Sequence, residues 1–387
     1  MDRDGAVIGE RWTEHNGASI AELITWLRNA VGDPAGLAIA IEVPRGAIVE
    51  TLTEHGFAVF SINPKQLDRF RDRYSPAGAK DDSRDAFVLA DSLRTDQHCF
   101  HAVRLDEPAV VRLRELSRLD DDLRDEMRRL NNQLREQWHR FFPQLLALCS
   151  STDEPWVWDV FEAAPSPALA ARLSKNKITN ILIRHRIRRI SAPHVRAILA
   201  TPPLQLTPGA AEAASEHAML LLPRLRLLRQ QRAQIASRLR KLLDELASPG
   251  EVGDQEEHRD AAVLRSLPGV GRIVAATILS EASRAIADRD YQGLRCYAGT
   301  APITRQSGKK TVVLMRYSCN ERLRNALYHW SRVSIIRDPR SRTNYAQLRA
   351  KGHSHGRALR SIADRWLRVL IAMLKRRTLF DPVLHSA

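Results

Sequence analysis

The sequence predicts an α/β domain followed by a mainly helical remainder, so that the fold class combines α/β and all-α architecture. Three observations support it. Two apolar runs of strand length, residues 37–41 and 57–62, flank a helical pattern, as in a βαβ unit. Residues 109–142 and 221–246 carry apolar side chains at alternating steps of three and four, as long amphipathic helices do. Residues 260–387 are strongly basic and largely helical in pattern.

The first hundred residues justify the α/β assignment element by element. A turn signal precedes residues 6–13, which are predicted to form a strand. Amphipathic helices are predicted over residues 20–31 and 46–55, on either side of the strand at 37–41. That strand ends on Glu42, and α/β sheets place functional groups at the carboxyl ends of their strands.

Asp82 and Asp85 form the most informative acidic pair. They lie three residues apart at the start of an apolar-periodic segment, so a helix would bring both carboxylates to one face. Two like charges this close favour a bound divalent cation, and the sequence therefore predicts a metal site. The alternative is a solvated acidic helix N-terminus that is capped by Asp81 or Asp82.

Two heptad seams predict a pair of long helices that form a coiled-coil arm within the chain or between subunits. Ordinary helices packed on a domain are the alternative. Because the seams present more apolar surface than one arm needs, we expect a homo-oligomer, either a dimer or a tetramer. The first seam comprises Leu116, Leu123, Met127, Leu130, Leu134 and Phe141; the second comprises Leu221, Leu225, Leu228, Ile235, Leu239, Leu242 and Leu246, interrupted by Arg232.

The charge distribution predicts a polyanionic partner. The chain has a formal net charge of +15, and residues 260–387 alone carry 24 Lys and Arg against 8 Asp and Glu, a balance of +16. Positive charge that is concentrated in one third of the chain favours nucleic acid as the partner. No apolar run approaches the ~20 residues that span a bilayer, and residues 1–4 begin no signal peptide. We therefore expect no membrane association and a cytoplasmic location.

The cysteines and the paired histidines predict neither a disulfide framework nor a zinc site. Cys99, Cys149, Cys296 and Cys319 are scattered without CxxC spacing, which fits a reducing cytoplasm. His353 and His355 lie in a loop flanked by glycines and lack a third ligand nearby. Surface positions or phosphate contacts explain them better than a metal does.

A Pro-Gly-x-Gly turn at residues 268–271 opens the basic third. Placed between two helices, such a turn exposes backbone N–H groups to a phosphate, as in a helix-hairpin-helix. Gly269 and Gly271 are therefore candidate nucleic-acid contacts. The alternative is a tight interhelical turn without a ligand.

Taken together, the motifs resemble one family. The chain resembles the DEDD-type insertion-sequence transposases of the one-ten family, the bridge-RNA-guided recombinases, over nearly its whole length and in the same order. The resemblance is carried by Ile41-Glu42-Val43-Pro44, Asn63-Pro64-Lys65, the AKDDxxDA pattern from Ala79 to Ala86, Leu267-Pro-Gly-Val-Gly271, and the GxxPxxxQSGK pattern from Gly299 to Lys309.

The resemblance implies a RuvC-like N-terminal domain with an RNase H fold, a coiled coil and a C-terminal transposase domain. It divides the chain into residues 1–105, 106–259 and 260–387. It implies that Mg²⁺ is the cofactor and that a serine completes the active site. The implied metal ligands are Glu42, Asp82 and Asp85, the nucleophile is Ser307, and the phosphate contacts are Arg305, Lys309 and Lys310.

Chemistry agrees with this assignment and keeps three functions open. Carboxylates are the hard ligands that Mg²⁺ prefers, and basic side chains beside an uncrowded serine suit attack on a phosphodiester. The first hypothesis is an RNA-guided transposase that recombines the DNA of its own element. A RuvC-type junction nuclease, or a catalytically inactive nucleic-acid-binding protein, are the alternatives.

The first acid of the implied tetrad has no counterpart here, because the chain begins at the turn before residues 6–13. Either the start codon is misassigned or the copy is truncated. The expectation is that roughly twenty residues encoded upstream and in frame form two strands, the first of which contains an aspartate. Without them, the strands at 6–13 and 37–41 are expected to lack partners, and the protein is expected to bind Mg²⁺ weakly.

Overall fold

The computed structural model divides the chain into two compact units, an N-terminal unit, Met1–Glu107, and a C-terminal unit, Pro108–Ala387. The predicted segments 106–259 and 260–387 thus lie almost entirely within one unit. The structure describes residues 1–74, 81–207, 209–248, 259–308 and 310–383.

The N-terminal unit is a small α/β unit built on a three-stranded sheet. Strands β1 and β2 pair in parallel, so that Ala38 faces Ala58, and β3 adds to β2 antiparallel. The predicted βαβ unit is confirmed. The elements are α1 (Gly17–Val31), a 3₁₀ turn (Pro34–Gly36), β1 (Ala38–Ile41), α2 (Ala47–Glu54), β2 (Ala58–Ser61), α3 (Pro64–Tyr74), α4 (Asp82–Asp96), a 3₁₀ turn (Gln97–Cys99) and β3 (His101–Ala102).

The strand predicted over residues 6–13 is wrong. These residues form no ladder with another strand of the described chain, and Val7, Ile8 and Trp12 are 50%, 71% and 84% exposed. An apolar segment of this length becomes a strand only when a neighbour satisfies its backbone N–H and C=O groups. By contrast β1 does have a partner, β2, against expectation. It lies at the sheet edge, which explains why it is only half-buried.

The described part of the C-terminal unit is helical except for one hairpin. Its elements are α5 (Pro108–Phe141), α6 (Pro143–Leu148), α7 (Pro155–Ala163), α8 (Pro167–Ala171), α9 (Lys175–Arg184), α10 (Ala192–Leu199), α11 (Ala210–Ala247), α12 (Asp260–Ser266), α13 (Arg272–Glu281), α14 (Ser283–Ala287), α15 (Tyr291–Tyr297), β4 (Ile303–Ser307), β5 (Lys310–Leu314), α16 (Glu321–Arg337), α17 (Pro339–Ala350) and α18 (His355–Arg376). Among the described residues, no helix is both long and apolar enough to cross a membrane.

Helices α5 and α11 pack on each other within the chain and run in opposite directions, since early residues of one meet late residues of the other. They join two hydrophobic cores. In one core Leu113 meets Leu239 beside α13, α16 and α18; in the other Leu134 meets Leu221 beside α6 to α10. The long pair therefore supports two helical layers at its two ends.

A charge pair separates these two cores. Arg232, which interrupts the second seam, directs its Nε atom to Oδ1 of Asp120 at 3.3 Å. The Asp120 side chain is only 7% exposed and shares the buried face of α5 with Ser117. A pair of this kind favours one register of the two helices, because a slip would separate the buried Asp120 carboxylate from Arg232.

Replacement of Arg232 by leucine is expected to lower the free energy of unfolding by about 2–3 kcal/mol, because the Asp120 carboxylate then stays buried without its partner. The double variant Asp120→Leu/Arg232→Leu is expected to recover most of that loss. Urea denaturation of both single variants and the double variant measures the coupling. Arg224→Leu is the control, since Arg224 meets Glu126 at 3.8 Å on the surface. If all variants unfold alike, the pair contributes nothing.

Candidate nucleic-acid-processing site

Helix α4 presents its acidic first turn as predicted. Asp81 is the N-cap, and its side chain accepts a hydrogen bond of 2.8 Å from the backbone N–H of Arg84. Asp82 and Asp85 both follow in the first turn, where the helix dipole favours negative charge. Ala79 and Lys80, which begin the motif, lie outside the described residues.

Asp85 is held by an arginine that the sequence reasoning missed. Both of its oxygens accept hydrogen bonds from Arg71 on α3, from Nε at 2.7 Å and from Nη2 at 2.8 Å. The two side chains are 18% and 22% exposed, so this fork-shaped pair is largely shielded from water. Arg71 thus neutralises the negative charge that a cation was expected to neutralise.

The expected trio of carboxylates is not assembled. Glu42 lies directly after β1, at the predicted end of the strand, and is exposed, as is Asp82. Across the described part of the chain, no three Asp, Glu, His or Cys side chains form a group that could hold a metal ion. With Asp85 bound to Arg71, the three carboxylates are not arranged as a Mg²⁺ site in this structure.

The structure also brings Glu10 to the start of α4. The Ser83 hydroxyl donates to the Glu10 carboxylate at 3.2 Å, and a cavity of about 420 Å³ is lined by both residues and by Asp82. Residues 6–13 thus lie along α4 in an extended form. Glu10 was missed because it fell within a segment that was read only as a strand.

Ser307 ends β4, at the tip of the β4–β5 hairpin. It pairs with Lys310, which leaves only Gly308 and Lys309 to connect the strands. Gly308 has a positive φ of 56°, which glycine adopts without strain in so short a turn. Ser307 is exposed there, as expected for an uncrowded nucleophile. Lys309 lies outside the described residues.

The register of the hairpin places the candidate side chains on one face. Residues paired directly across two strands share a face, and alternate residues of one strand do so as well. Ser307 therefore shares a face with its partner Lys310 and with Arg305, two residues back along β4. Two exposed positive charges accordingly flank the hydroxyl, whereas Thr304 and Gln306 lie on the opposite face.

The turn at 268–271 joins α12 to α13, as predicted, and its two glycines have different surroundings. Gly269 has a φ of +86°, and a Cβ there would lie 3.0 Å from the backbone N of Ser334 on α16. The absence of a side chain at Gly269 thus allows α16 to pack closely against this turn. Gly271 is exposed and is the N-cap of α13, with open space around a would-be Cβ. Only Gly271 is placed so that a phosphate could approach it.

The four cysteines are all free, as the absence of CxxC spacing predicted. Burial raises the pKa of the Cys149 thiol to about 11, so this side chain stays protonated at neutral pH. No thiolate chemistry follows from it.

Comparisons with known proteins identify the family. Residues 1–143 match the IS110-type DEDD family, described as a transposase, and residues 261–346 match the Transposase IS116/IS110/IS902 family. The chain is 50% identical over 194 residues to a protein of Sinorhizobium fredii named as a transposase, y4uE, a match that covers 50% of this chain and 54% of that protein.

Two Streptomyces coelicolor proteins match over more of their length. The protein named as the mini-circle transposase for IS117 is 32% identical over 366 residues, which covers 90% of this chain and 85% of that one. The 43.6 kDa protein of insertion element IS110 is 29% identical over 81% of this chain and 75% of its own length. The chain therefore belongs to the IS116/IS110/IS902 family of transposases, enzymes that act on DNA.

Proposed function

We propose that this transposase recombines the DNA of its insertion sequence through a transient covalent bond to Ser307. The observation that carries the proposal is the exposed hairpin face on which Arg305 and Lys310 flank the serine hydroxyl. Attack by that oxygen on a DNA phosphorus displaces a deoxyribose hydroxyl, and the reverse reaction on a new partner reseals the strand. The two cations hold the phosphate and stabilise the charge that develops on it.

A plasmid recombination assay with the cognate element ends tests this function. We propose that a structured RNA guides the reaction, so recombinant junctions are expected with that RNA and not without it. Junctions that form equally well without RNA would contradict guidance and leave the recombinase function standing. If no junctions form under either condition, the recombinase function fails.

The second candidate is an inactive nucleic-acid-binding protein, favoured by the carboxylates that are not gathered into a metal site among the described residues. A junction nuclease of the RuvC type would need those carboxylates. A nuclease would cleave a four-way junction whether or not Ser307 is present. Removal of residues 260–387 cannot make this distinction, because Trp330 and Trp366 share a core with Leu113 and Ile235. A point variant at Ser307 leaves that core intact.

We also propose that the reaction depends on Mg²⁺, with Glu42, Asp82 and Asp85 as candidate ligands. Asp85 would first have to release Arg71, so the two cations compete for one carboxylate. Arg71→Gln is expected to strengthen Mg²⁺ binding about fivefold, as the loss of a ~1 kcal/mol ion pair predicts. Isothermal titration with Mg²⁺ measures this. Arg73→Gln, which removes a pair with Asp96 instead, is the control; equal affinities in both variants would contradict the competition.

A homo-oligomer, dimer or tetramer, is part of this proposal. Helix α11 exposes Leu220 and Leu227, which lie seven residues apart on one face and are 72% and 53% exposed. An apolar stripe of this kind favours a helix of a second copy. Light scattering with and without RNA is expected to show at least a dimer, and a monomer under both conditions would refute it.

A further inference from the structure

The base of the serine hairpin adjoins a cavity of about 350 Å³ between β5 and α18, here called the basic cavity. Its charged lining residues are Arg295, Arg316, Arg357, Arg360 and Asp364, together with His353. Four arginines against a single aspartate leave a clear excess of positive charge in a confined space. Nothing in the function of Ser307 accounts for them.

The one acid of the basic cavity is already neutralised. Asp364 accepts hydrogen bonds from Nε and Nη2 of Arg295 at 2.9 and 3.0 Å, and further ones from Tyr291 and Thr300 at 3.0 Å each. These four bonds occupy both carboxylate oxygens. Asp364 and Arg295 thus form a structural pair, and the charges of the other three arginines remain uncompensated by it.

None of these three arginines has an acidic partner in the described part of the chain. The guanidinium groups of Arg357 and Arg360 lie within ion-pair distance of no carboxylate in the described part of the chain. Burial, together with the nearby charges of Arg357 and Arg324, lowers the pKa of Arg360, although Tyr317 partly offsets this. Like charges held together at some electrostatic cost are typical of a site that awaits an anion.

His353 supplies an independent sign of a missing ligand. Its Nδ1 atom is shielded from water and has no hydrogen-bond partner among the described residues. Buried polar atoms are almost always satisfied, so this unpartnered nitrogen in a residue that lines the basic cavity is unusual. An anion with several oxygen atoms would satisfy both arginines together, and a turn of the His353 ring toward the cavity would let its Nδ1 atom join them.

We propose that the basic cavity binds a backbone phosphate of the DNA strand that Ser307 attacks. The inference rests on the proposed function, since it places the cavity and the serine on the same DNA. Leu314, at the cavity, pairs with Ile303, four residues along β4 from Ser307. At ~3.4 Å per residue the two positions are about 14 Å apart along the hairpin, so one strand can reach both. The cavity thereby fixes which phosphate faces the serine.

The test measures DNA binding by the full chain, from the anisotropy of a labelled duplex at increasing salt. Arg357→Gln and Arg360→Gln are each expected to weaken binding about tenfold and to reduce the salt slope by about 0.9, whatever the sequence of the duplex. Arg376→Gln is the matched control, because it removes the same charge from α18 about 24 Å away. Thermal melting verifies that every variant is folded.

The outcomes separate this inference from the proposed function. If the double variant Arg357→Gln/Arg360→Gln binds DNA as the Arg376→Gln variant does, the cavity holds no DNA phosphate. A loss confined to a matching RNA duplex would also overturn the proposal, since the cavity would then serve RNA. Recombination is not needed for the measurement. A chain that binds DNA through the cavity yet forms no recombinant junctions would refute the proposed function alone.

Discussion

Ser307→Ala is expected to abolish recombination, with a loss of at least about a thousandfold, because no neighbouring group can replace the attacking oxygen. Gly308 and the exposed hairpin tip suggest that the change leaves the fold intact. DNA binding should remain, since Arg305 and Lys310 keep their charges. The measurement is the frequency of recombinant plasmid junctions, together with binding by anisotropy.

Thr304→Ala provides the control for that experiment. It lies on the same strand and is also exposed, yet the register directs it to the opposite face of the hairpin. Its activity is expected to stay within about twofold of the unchanged chain, in line with the small effect of surface substitutions. Unchanged recombination in Ser307→Ala would remove the serine from the mechanism, whereas cleavage of a four-way junction without recombinant plasmids would favour a nuclease.

The second large effect concerns Glu281, at the end of α13, whose side chain is only 3% exposed. Arg118 on α5 donates to its two oxygens at 3.0 and 3.2 Å, Asn320 donates at 2.9 Å, and Nε of Arg322 lies at 3.1 Å. One carboxylate thus connects α5, α13 and α16. Burial raises its pKa, but the hydrogen bonds and charges of its partners outweigh burial and leave the pKa lowered.

Glu281→Gln is expected to lower the free energy of unfolding by about 3 kcal/mol, because the buried charge shared by Arg118 and Arg322 is lost. Arg322 keeps its pair with Asp121, and Arg118 keeps a longer one with Glu115. Urea denaturation followed by tryptophan fluorescence measures it. Glu321→Gln is the control, since Glu321 is 77% exposed and its ion pair with Arg324 lies at the surface. A loss below about 1 kcal/mol would mean that the network is not stabilising.

The same carboxylate predicts a pH dependence. Because the folded pKa of Glu281 lies below its usual value of 4.5, its contribution is fully present above that pH. The contribution is lost as the pH falls from about 4.5 through the lowered folded pKa. The stability difference between the unchanged chain and Glu281→Gln is therefore expected to shrink on acidification. A difference that stays constant from pH 7 to pH 3 would contradict this.

Sequence patterns within single helices and strands were sufficient to predict much of the fold. Apolar runs and helical periodicity predicted β1, α2 and β2, as well as both long helices, because burial of an apolar face decides such elements locally. Residues 6–13 show where this fails. The turn signal before them is typical of the start of a strand, but a strand also needs a partner, and no local pattern reports whether one is present.

For the candidate site, the sequence by itself determined the order of the motifs, and hence the family. It also placed Glu42 after a strand, Asp82 and Asp85 in one helical turn, and Ser307 beside basic residues. Only the tertiary structure decided what these groups meet. Arg71 reaches Asp85 from another helix, and Asp120 meets Arg232 across 112 positions. Arg357 and Arg360 are candidate phosphate contacts only because the folded chain places both of them in the cavity beside the hairpin. The interaction between two charges depends on their distance in space, and the order of residues along the chain does not specify that distance.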